Sequence, residues 1–189
     1  MIRILIILFF CSAFQCQLSA QQWLTGIETT WTDSFVEWQL YTEIDESSED
    51  ITPTGELELR WKNQDNWTEW DFDIDGFRGQ ILQASRNQPN QWEVRSDQGL
   101  ITIRTRWVND LTEWKITNNN ISLVFKSRWR NTFNEWVLTD KKYGHFSIKA
   151  AWDGDPRQWD IYDELDEQIT LSMKMAMVFV ATFYSAPKI

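Results

Sequence analysis

The sequence predicts an all-β protein, an antiparallel up-and-down meander of six tryptophan-flanked hairpins with about twelve strands. Three observations predict it: a tryptophan unit that recurs about every 22 residues, alternating apolar and polar residues beside each unit, and polar connections between units. A meander closes most simply into a barrel, which removes the unpaired edges of the sheet. A two-sheet sandwich, a β-trefoil and a curved open sheet remain alternatives.

The repeat unit is a pair of tryptophans separated by a loop that ends in Glu or Gln. The second tryptophan recurs at spacings of 32, 22, 22, 22 and 23 residues, and Glu or Gln precedes it in all six copies: Trp38, Trp70, Trp92, Trp114, Trp136 and Trp159. The first tryptophan is Trp31, Trp61, Trp107, Trp129 or Trp152, and Ser85 replaces it in the remaining copy. Because the Glu or Gln recurs six times, we expect a structural role, a hydrogen bond to the backbone of its own loop.

Alternation on both sides of the loop predicts strands with one apolar face. Ile101 and Ile103 precede Trp107 in the same phase, and Ile116 follows Trp114. A period of two is typical of a half-buried β-strand. The two tryptophans of a hairpin are then expected to be cross-strand neighbours that ring one end of the inner face. A last apolar stretch, residues 169–184, is expected to complete the meander.

The N-terminus has the pattern of a secretory signal peptide. Arg3 precedes a short apolar run, and a small-residue cleavage site ends at Ala20. We therefore expect removal of residues 1–20, with residues 21–189 forming a single domain in the periplasm or outside the cell. Both cysteines lie in the removed segment, which excludes disulfides and thiolate chemistry from the mature chain. Lipoprotein anchoring at Cys16 is disfavoured, because a bulky residue precedes it.

The charge of the chain limits the classes of partner that it is expected to bind. The formal net charge of −10 repels phosphate backbones, so a nucleic-acid partner is not expected. The predicted strands, roughly six or seven residues long, are shorter than a bilayer crossing needs, so the protein is not expected to span a membrane. Residues 21–75 hold 15 acidic and 2 basic residues, whereas residues 101–150 hold 4 acidic and 9 basic residues. Such a polarity can steer a charged partner.

One acidic cluster on two neighbouring predicted strands is a candidate calcium site, with the ligands Asp71, Asp73, Asp75, Glu56 and Glu58. If Trp61 and Trp70 face each other, two pairs of carboxylates are directly opposed, Glu58 with Asp73 and Glu56 with Asp75. Residues 71–76 also match the opening of a calcium-binding loop. Leu82 stands where such a loop needs a bidentate Glu, so a solvated acidic strand is favoured and Ca²⁺ is the alternative. No other cofactor is expected.

Three classes of function stay open. The first is an exported non-enzymatic binding module that holds a sugar or a small apolar ligand at a tryptophan-rich barrel interior or rim. Its predicted contact residues are Trp107, Trp114, Trp129, Trp136, Trp152 and Trp159. The second is a structural or protein-interaction protein with a solid core, which regular apolar spacing favours over an open mouth. An enzyme acting on glycans through carboxylates ranks third, because nucleophile motifs are absent and His145 is the single histidine.

Overall fold

Twelve antiparallel strands form one closed barrel in the computed structural model, which describes residues 23–42, 52–62 and 66–188. Each strand pairs with its neighbours in sequence, and the last strand pairs with the first. The predicted all-β barrel is confirmed, so the sandwich, the trefoil and the open sheet are wrong. The predicted signal peptide and the insertion around Ser47 lie outside the described residues.

The strands alternate between a buried side and an outer side, as the sequence predicts. They are β1 (Leu24–Thr29), β2 (Glu37–Thr42), β3 (Gly55–Leu59), β4 (Glu69–Ile74), β5 (Phe77–Ser85), β6 (Gln88–Ser96), β7 (Gly99–Thr105), β8 (Glu113–Thr117), β9 (Ser122–Trp129), β10 (Thr132–Asp140), β11 (Gly144–Trp152) and β12 (Asp155–Leu165). In β8, for example, Trp114 and Ile116 are buried while Glu113 and Lys115 lie on the outer side. The core therefore lies inside the barrel.

The last apolar stretch is a helix inside the barrel and not part of the sheet. Helix α1 (Leu171–Ser185) begins after Thr170, whose hydroxyl accepts a hydrogen bond from the amide of Met173 at 3.4 Å. Every residue from Leu171 to Thr182 is buried. A helix that is buried on all sides must be surrounded by protein. The expectation that residues 169–184 complete the meander is therefore wrong.

The width of the barrel explains the internal helix. About eight strands enclose a space that their own side chains fill, whereas wider barrels hold a cavity or a further element. The rings of Phe179 and Trp92 meet edge to face with centroids 4.8 Å apart. Near the other end of the helix, the hydroxyls of Ser172 and Ser96 lie 2.7 Å apart. Helix α1 thus runs from the barrel end with the inter-hairpin connections to the end with the hairpin tips.

Little space remains between the helix and Trp38 and Trp70 at the tip end, whereas an open pocket of about 320 Å³ lies at the same end beside Ala150, Trp159 and Ser185. The pocket between Trp38, Trp70, Phe179 and Phe183 has a volume of about 10 Å³, which is room for about one water molecule. Among the described residues, every buried side-chain nitrogen and oxygen has a hydrogen-bond partner. The inner surface here is a packed core.

One ion pair is enclosed between the helix and the sheet. Lys174 Nζ lies 2.7 Å from Asp163 Oδ2, and the two side chains are 2% and 1% exposed. The Asp163 carboxylate also accepts hydrogen bonds from the amides of Leu24 at 3.4 Å and Leu165 at 3.2 Å. The ammonium group lies 4.9 Å from the centroid of the Trp23 ring. These partners offset the cost of removing two charges from water.

Replacing Gly144 by Ala is expected to destabilise the barrel more than the same change at Gly154. Both glycines have positive φ, +92° and +77°, but only at Gly144 would a Cβ collide with backbone, at the oxygen of Glu164. The positive φ costs about 1–2 kcal/mol in either variant. We therefore expect Gly144→Ala to lower the free energy of unfolding by at least about 1 kcal/mol more than Gly154→Ala. Urea denaturation measures both, and equal losses would contradict this account of the turn.

Candidate functional site

Six inner tryptophans line the barrel at the tip end and are 0–2% exposed: Trp38, Trp70, Trp92, Trp114, Trp136 and Trp159. In five of the six, the indole N–H donates to the backbone carbonyl three residues earlier, at 2.8–3.1 Å. This bond satisfies the one polar atom of a buried indole. It also ties the hairpin loop to the core from the inside.

Five outer tryptophans lie at the same end of the barrel and are 44–67% exposed: Trp31, Trp61, Trp107, Trp129 and Trp152. Each indole N–H donates to the Glu or Gln that directly precedes the inner tryptophan of the same hairpin, at 2.6–3.3 Å. That Glu or Gln faces away from the core, since neighbouring side chains on a strand point to opposite faces. The outer indoles are therefore held against the outer wall.

The prediction that the two tryptophans of a hairpin face each other inside the barrel is wrong by two residues. In all six hairpins the inner tryptophan pairs with the residue two positions before the outer tryptophan, or before Ser85: Thr29, Leu59, Gln83, Thr105, Ser127 and Ala150. The outer position therefore lies past this pair, and three hairpins have a register shift there. Register irregularities of this kind re-aim a side chain at the rim of a barrel.

The recurring Glu and Gln have a structural role, but the partner differs from the expected one. Five of the six accept a hydrogen bond from the outer indole of their own hairpin, and the exception is Gln91, whose hairpin has no outer tryptophan. At Glu37, the Lys62 ammonium and the Trp31 indole together hold the pKa of the carboxyl below its usual value. The Arg106 guanidinium lies 5.2 Å from the ring centroid of Trp107 and adds a cation–π contact. The rings are thereby fixed although they are exposed.

In the hairpin without an outer tryptophan, helix α1 supplies the hydrogen-bond partner of the inner indole. Here the Trp92 indole donates to the hydroxyl of Tyr184 in α1, at 3.0 Å, and that hydroxyl lies 3.3 Å from Asn90 Oδ1. Burial raises the pKa of Tyr184 to about 12. The ring of outer tryptophans is therefore interrupted at Ser85, where the C-terminal end of α1 reaches the tip.

The structure divides the six predicted ligand contacts into two groups. Trp107, Trp129 and Trp152 belong to the outer ring, whereas Trp114, Trp136 and Trp159 are packed in the core. Trp114 and Trp136 are closed off in the core, whereas Trp159 also lines an open pocket of about 320 Å³. Two further exposed members, Trp31 and Trp61, were not singled out as contacts, although the same repeat position marks them in the sequence.

The predicted carboxylate pairs of the acidic cluster are also wrong by two residues. Glu58 lies opposite Asp71, and Glu56 lies opposite Asp73, while Asp75 occupies the following turn with φ of 50°. The cause is the same two-residue shift in register that places the outer tryptophan beyond the partner of the inner one. The cluster still holds directly opposed like charges, which destabilise a sheet unless other groups offset them.

Basic side chains compensate part of the repulsion between these carboxylates. Arg60 Nε donates to Asp71 at 2.7 Å, and Arg78 Nε donates to Asp73 at 2.6 Å. Asp71, Asp73 and Arg78 line an open depression of about 470 Å³ on the outer wall. In the part of the chain that the structure describes, no group of three or more His, Cys, Asp or Glu residues could hold a metal ion. Calcium binding at Glu56, Glu58, Asp71, Asp73 and Asp75 stays a prediction from the sequence.

Comparison of the chain with protein-family models, with curated proteins and with solved structures finds no match in any of the three. Among residues 23–42, 52–62 and 66–188, no helix is both long enough and apolar enough to cross a membrane. We therefore infer the function from the geometry of the outer tryptophans.

Proposed function

We propose that the protein is an exported, non-enzymatic binding module that holds a glycan chain on its outer tryptophan ring. The observation that carries the proposal is five indoles at 44–67% exposure, each with its N–H already bonded to a Glu or Gln of its own hairpin. A fixed, exposed aromatic face is the surface on which a sugar ring stacks. Ordering the rings before binding lowers the entropic cost of association.

The spacing of the ring supports an extended ligand. Outer tryptophans of consecutive hairpins are two strands apart, which is about 10 Å around the wall. This separation is comparable to the length of a disaccharide, so neighbouring rings suit alternate sugar units of one chain. The helix-filled interior argues against a small apolar ligand held inside the barrel between Trp38, Trp70 and the helix, where the pocket measures about 10 Å³.

The packed interior also favours the second candidate, a structural or protein-interaction protein that uses only its outer face. The two candidates differ in what the outer tryptophans contact. Export is part of the proposal and depends on the predicted signal peptide of residues 1–20. Mass spectrometry of the mature chain checks it, and an intact Met1 would contradict export by cleavage.

Removing outer tryptophans is expected to weaken glycan binding without unfolding the protein. We expect Trp107→Ala with Trp129→Ala to weaken the affinity for a bound glycan at least tenfold, about 1.4 kcal/mol. Isothermal titration of residues 21–189 against a panel of neutral and charged oligosaccharides measures it. The matched control is Val108→Ala, which removes an apolar side chain that is 90% exposed on the same hairpin loop.

The melting temperature of the double variant should stay close to that of the parent chain, because the removed rings lie outside the core. Glycan binding that is equal in the parent and the double variant would overturn the proposed site. Absence of binding to every glycan, with capture of a protein by the same rings, would support the second candidate.

A further inference from the structure

We propose that the arc of the ring formed by Trp107 and Trp129 is selective for anionic polysaccharides, whose carboxylate or sulfate groups bind a neighbouring basic patch. This inference rests on the proposed function and names the ligand class of that site. It is carried by the register of the sheet, which places a lysine opposite the carboxylate that anchors Trp107 and another opposite the carboxylate that anchors Trp129.

The basic patch consists of four side chains that face outward on β7, β8, β9 and β11: Arg104, Lys115, Lys126 and Lys149. Arg104 lies directly opposite Lys115 in the register of the sheet. Among the described residues, none of the four is within ion-pair distance of a carboxylate. Arg104, Lys115 and Lys126 are thus clustered positive charges on a protein whose formal net charge is −10, while Lys149 at the edge of the patch lies opposite Asp160.

The carboxylates that anchor the two indoles are already engaged, although Lys149 also has Asp160 directly opposite on β12. Lys126 lies opposite Glu113 in the register, but Glu113 accepts hydrogen bonds from Arg106 at 3.1 Å and from Trp107 at 3.3 Å. Glu135, opposite Lys149, is held in the same way by Arg128 and Trp129. The two anchoring carboxylates hold the rings and leave the lysines available to an external anion.

The register also places the lysines within reach of a stacked sugar. Residues directly opposite on neighbouring strands have Cα atoms about 5 Å apart. The Cα atom of Lys126 therefore lies about one strand spacing from the Cα atom of Glu113, which anchors Trp107. The Cα atom of Lys149 lies equally close to that of Glu135, which anchors Trp129. A sugar ring on either indole brings its substituents within the length of a lysine side chain.

The opposite arc of the ring has the reverse charge and serves as an internal comparison. Glu37, which anchors Trp31, lies opposite Glu58, and Asp71 follows two residues after the Glu69 that anchors Trp61. Lys62 pairs with Glu37 and Glu58, and Arg60 pairs with Asp71, so both cations are engaged and the remaining excess of carboxylates repels an anionic chain. Like charges directly opposite in a sheet are destabilising, so the pair of Arg104 and Lys115 points to a ligand that neutralises it.

A glycan fits these observations better than an anionic membrane surface. The outer rings lie along the wall, while the polar hairpin loops continue past them and carry Asp33, Asp110 and Asp153 together with Arg86 and Arg130. Docking the tip end on anionic lipids would press these carboxylates against headgroups of the same sign. An extended polymer along the wall avoids that contact.

The test is calorimetric titration of residues 21–189 with three hexasaccharides of equal length: hexagalacturonate, a sulfated glucan hexamer and neutral cellohexaose. We expect at least one anionic hexamer to bind at least tenfold more tightly than cellohexaose, with a preference that falls as salt is raised. The two anionic probes distinguish carboxylate from sulfate. Lys115→Gln with Lys126→Gln should abolish most of the preference and leave the affinity for cellohexaose within about twofold.

The matched control is Lys141→Gln with Lys142→Gln, which removes the same charge at the connection between β10 and β11, and its preference should equal that of the parent. Equal or tighter binding of cellohexaose by the parent would overturn the inference while the proposed function stands. No binding of any hexamer would overturn both. Binding to phosphatidylserine vesicles but to no hexamer would replace the glycan by a membrane surface.

Discussion

A chain that ends at Gln168 is expected not to fold, although it keeps all twelve strands. Helix α1 places seven large apolar residues in the barrel interior: Leu171, Met173, Met175, Met177, Val178, Phe179 and Val180. At about 1.5–3 kcal/mol for each buried side chain, their loss removes about 10–20 kcal/mol. The net stability of a domain is only about 5–15 kcal/mol. The loss is therefore as large as the whole stability.

Near-ultraviolet circular dichroism and urea denaturation of residues 21–168 measure this effect. We expect no fixed environment for the inner tryptophans and no cooperative unfolding transition. A chain that ends at Ala186 is the control, because it removes the C-terminal tail and keeps all of α1. A peptide of residues 169–189 added in trans should restore part of the near-ultraviolet signal. A cooperative transition of residues 21–168 alone would show that the sheet closes without its helix.

The sheet is predictable from the sequence because one rule is repeated six times. Each hairpin shows alternation, such as Ile101 and Ile103 before the loop and Ile116 after it, and each copy tests the others. Closure then follows from the connectivity, since a meander has two edges that pair with each other. The barrel as a whole could therefore be predicted from local patterns.

The helix could not be predicted by that rule. Residues 171–185 form a nearly continuous apolar run, which fits a buried strand and a buried helix equally well. The available signals were Thr170, a good N-cap residue, and the helix-forming Met173, Met175 and Ala176. What decides the outcome is the width of a twelve-strand barrel, which is a property of the whole sheet and not of this segment.

The position of the second set of tryptophans on the outer wall could not be predicted for a different reason. A spacing of seven residues between two tryptophans is compatible with a pair inside the barrel and with the observed offset of two. The inner indole decides between them, as Trp114 shows when it donates to the carbonyl of Leu111 at 2.8 Å. This bond draws the loop back toward the core and leaves Trp107 on the wall. The choice depends on loop geometry, which residue spacing alone does not contain.

Removing one partner of the enclosed ion pair is expected to be among the most damaging single changes in the protein. Asp163→Ala removes the carboxylate that lies next to the Lys174 ammonium. The Lys174 side chain is only 2% exposed, so water does not replace this partner. Breaking a buried pair in this way typically costs about 3–5 kcal/mol. The exposed pair of Asp73 and Arg78 is the control: the Arg78 side chain is 80% exposed, so loss of this pair in Asp73→Ala should cost much less than loss of the enclosed pair in Asp163→Ala.

Urea denaturation of the two variants measures the difference in the free energy of unfolding. Equal losses at Asp163 and Asp73 would show that water reaches the Lys174 site. The paired replacement Asp163→Leu with Lys174→Met tests what the ion pair contributes. Because apolar substitutes of similar volume often match or exceed a buried pair in stability, we expect the paired variant to regain most of the loss.

Recovery of stability would leave the ion pair a different role, which is to set the depth of the helix in the barrel. The apolar contacts of α1 are non-directional, whereas the bond from Lys174 to Asp163 specifies one position along the axis. At the far end of the helix, that position lets Tyr184 accept the indole hydrogen of Trp92 at 3.0 Å. In the paired variant we expect the Trp92 indole hydrogen to exchange with solvent at least tenfold faster, as measured by NMR. An unchanged exchange rate would mean that the other contacts of α1, such as packing and the hydrogen bond between Ser172 and Ser96, position the helix without the ion pair.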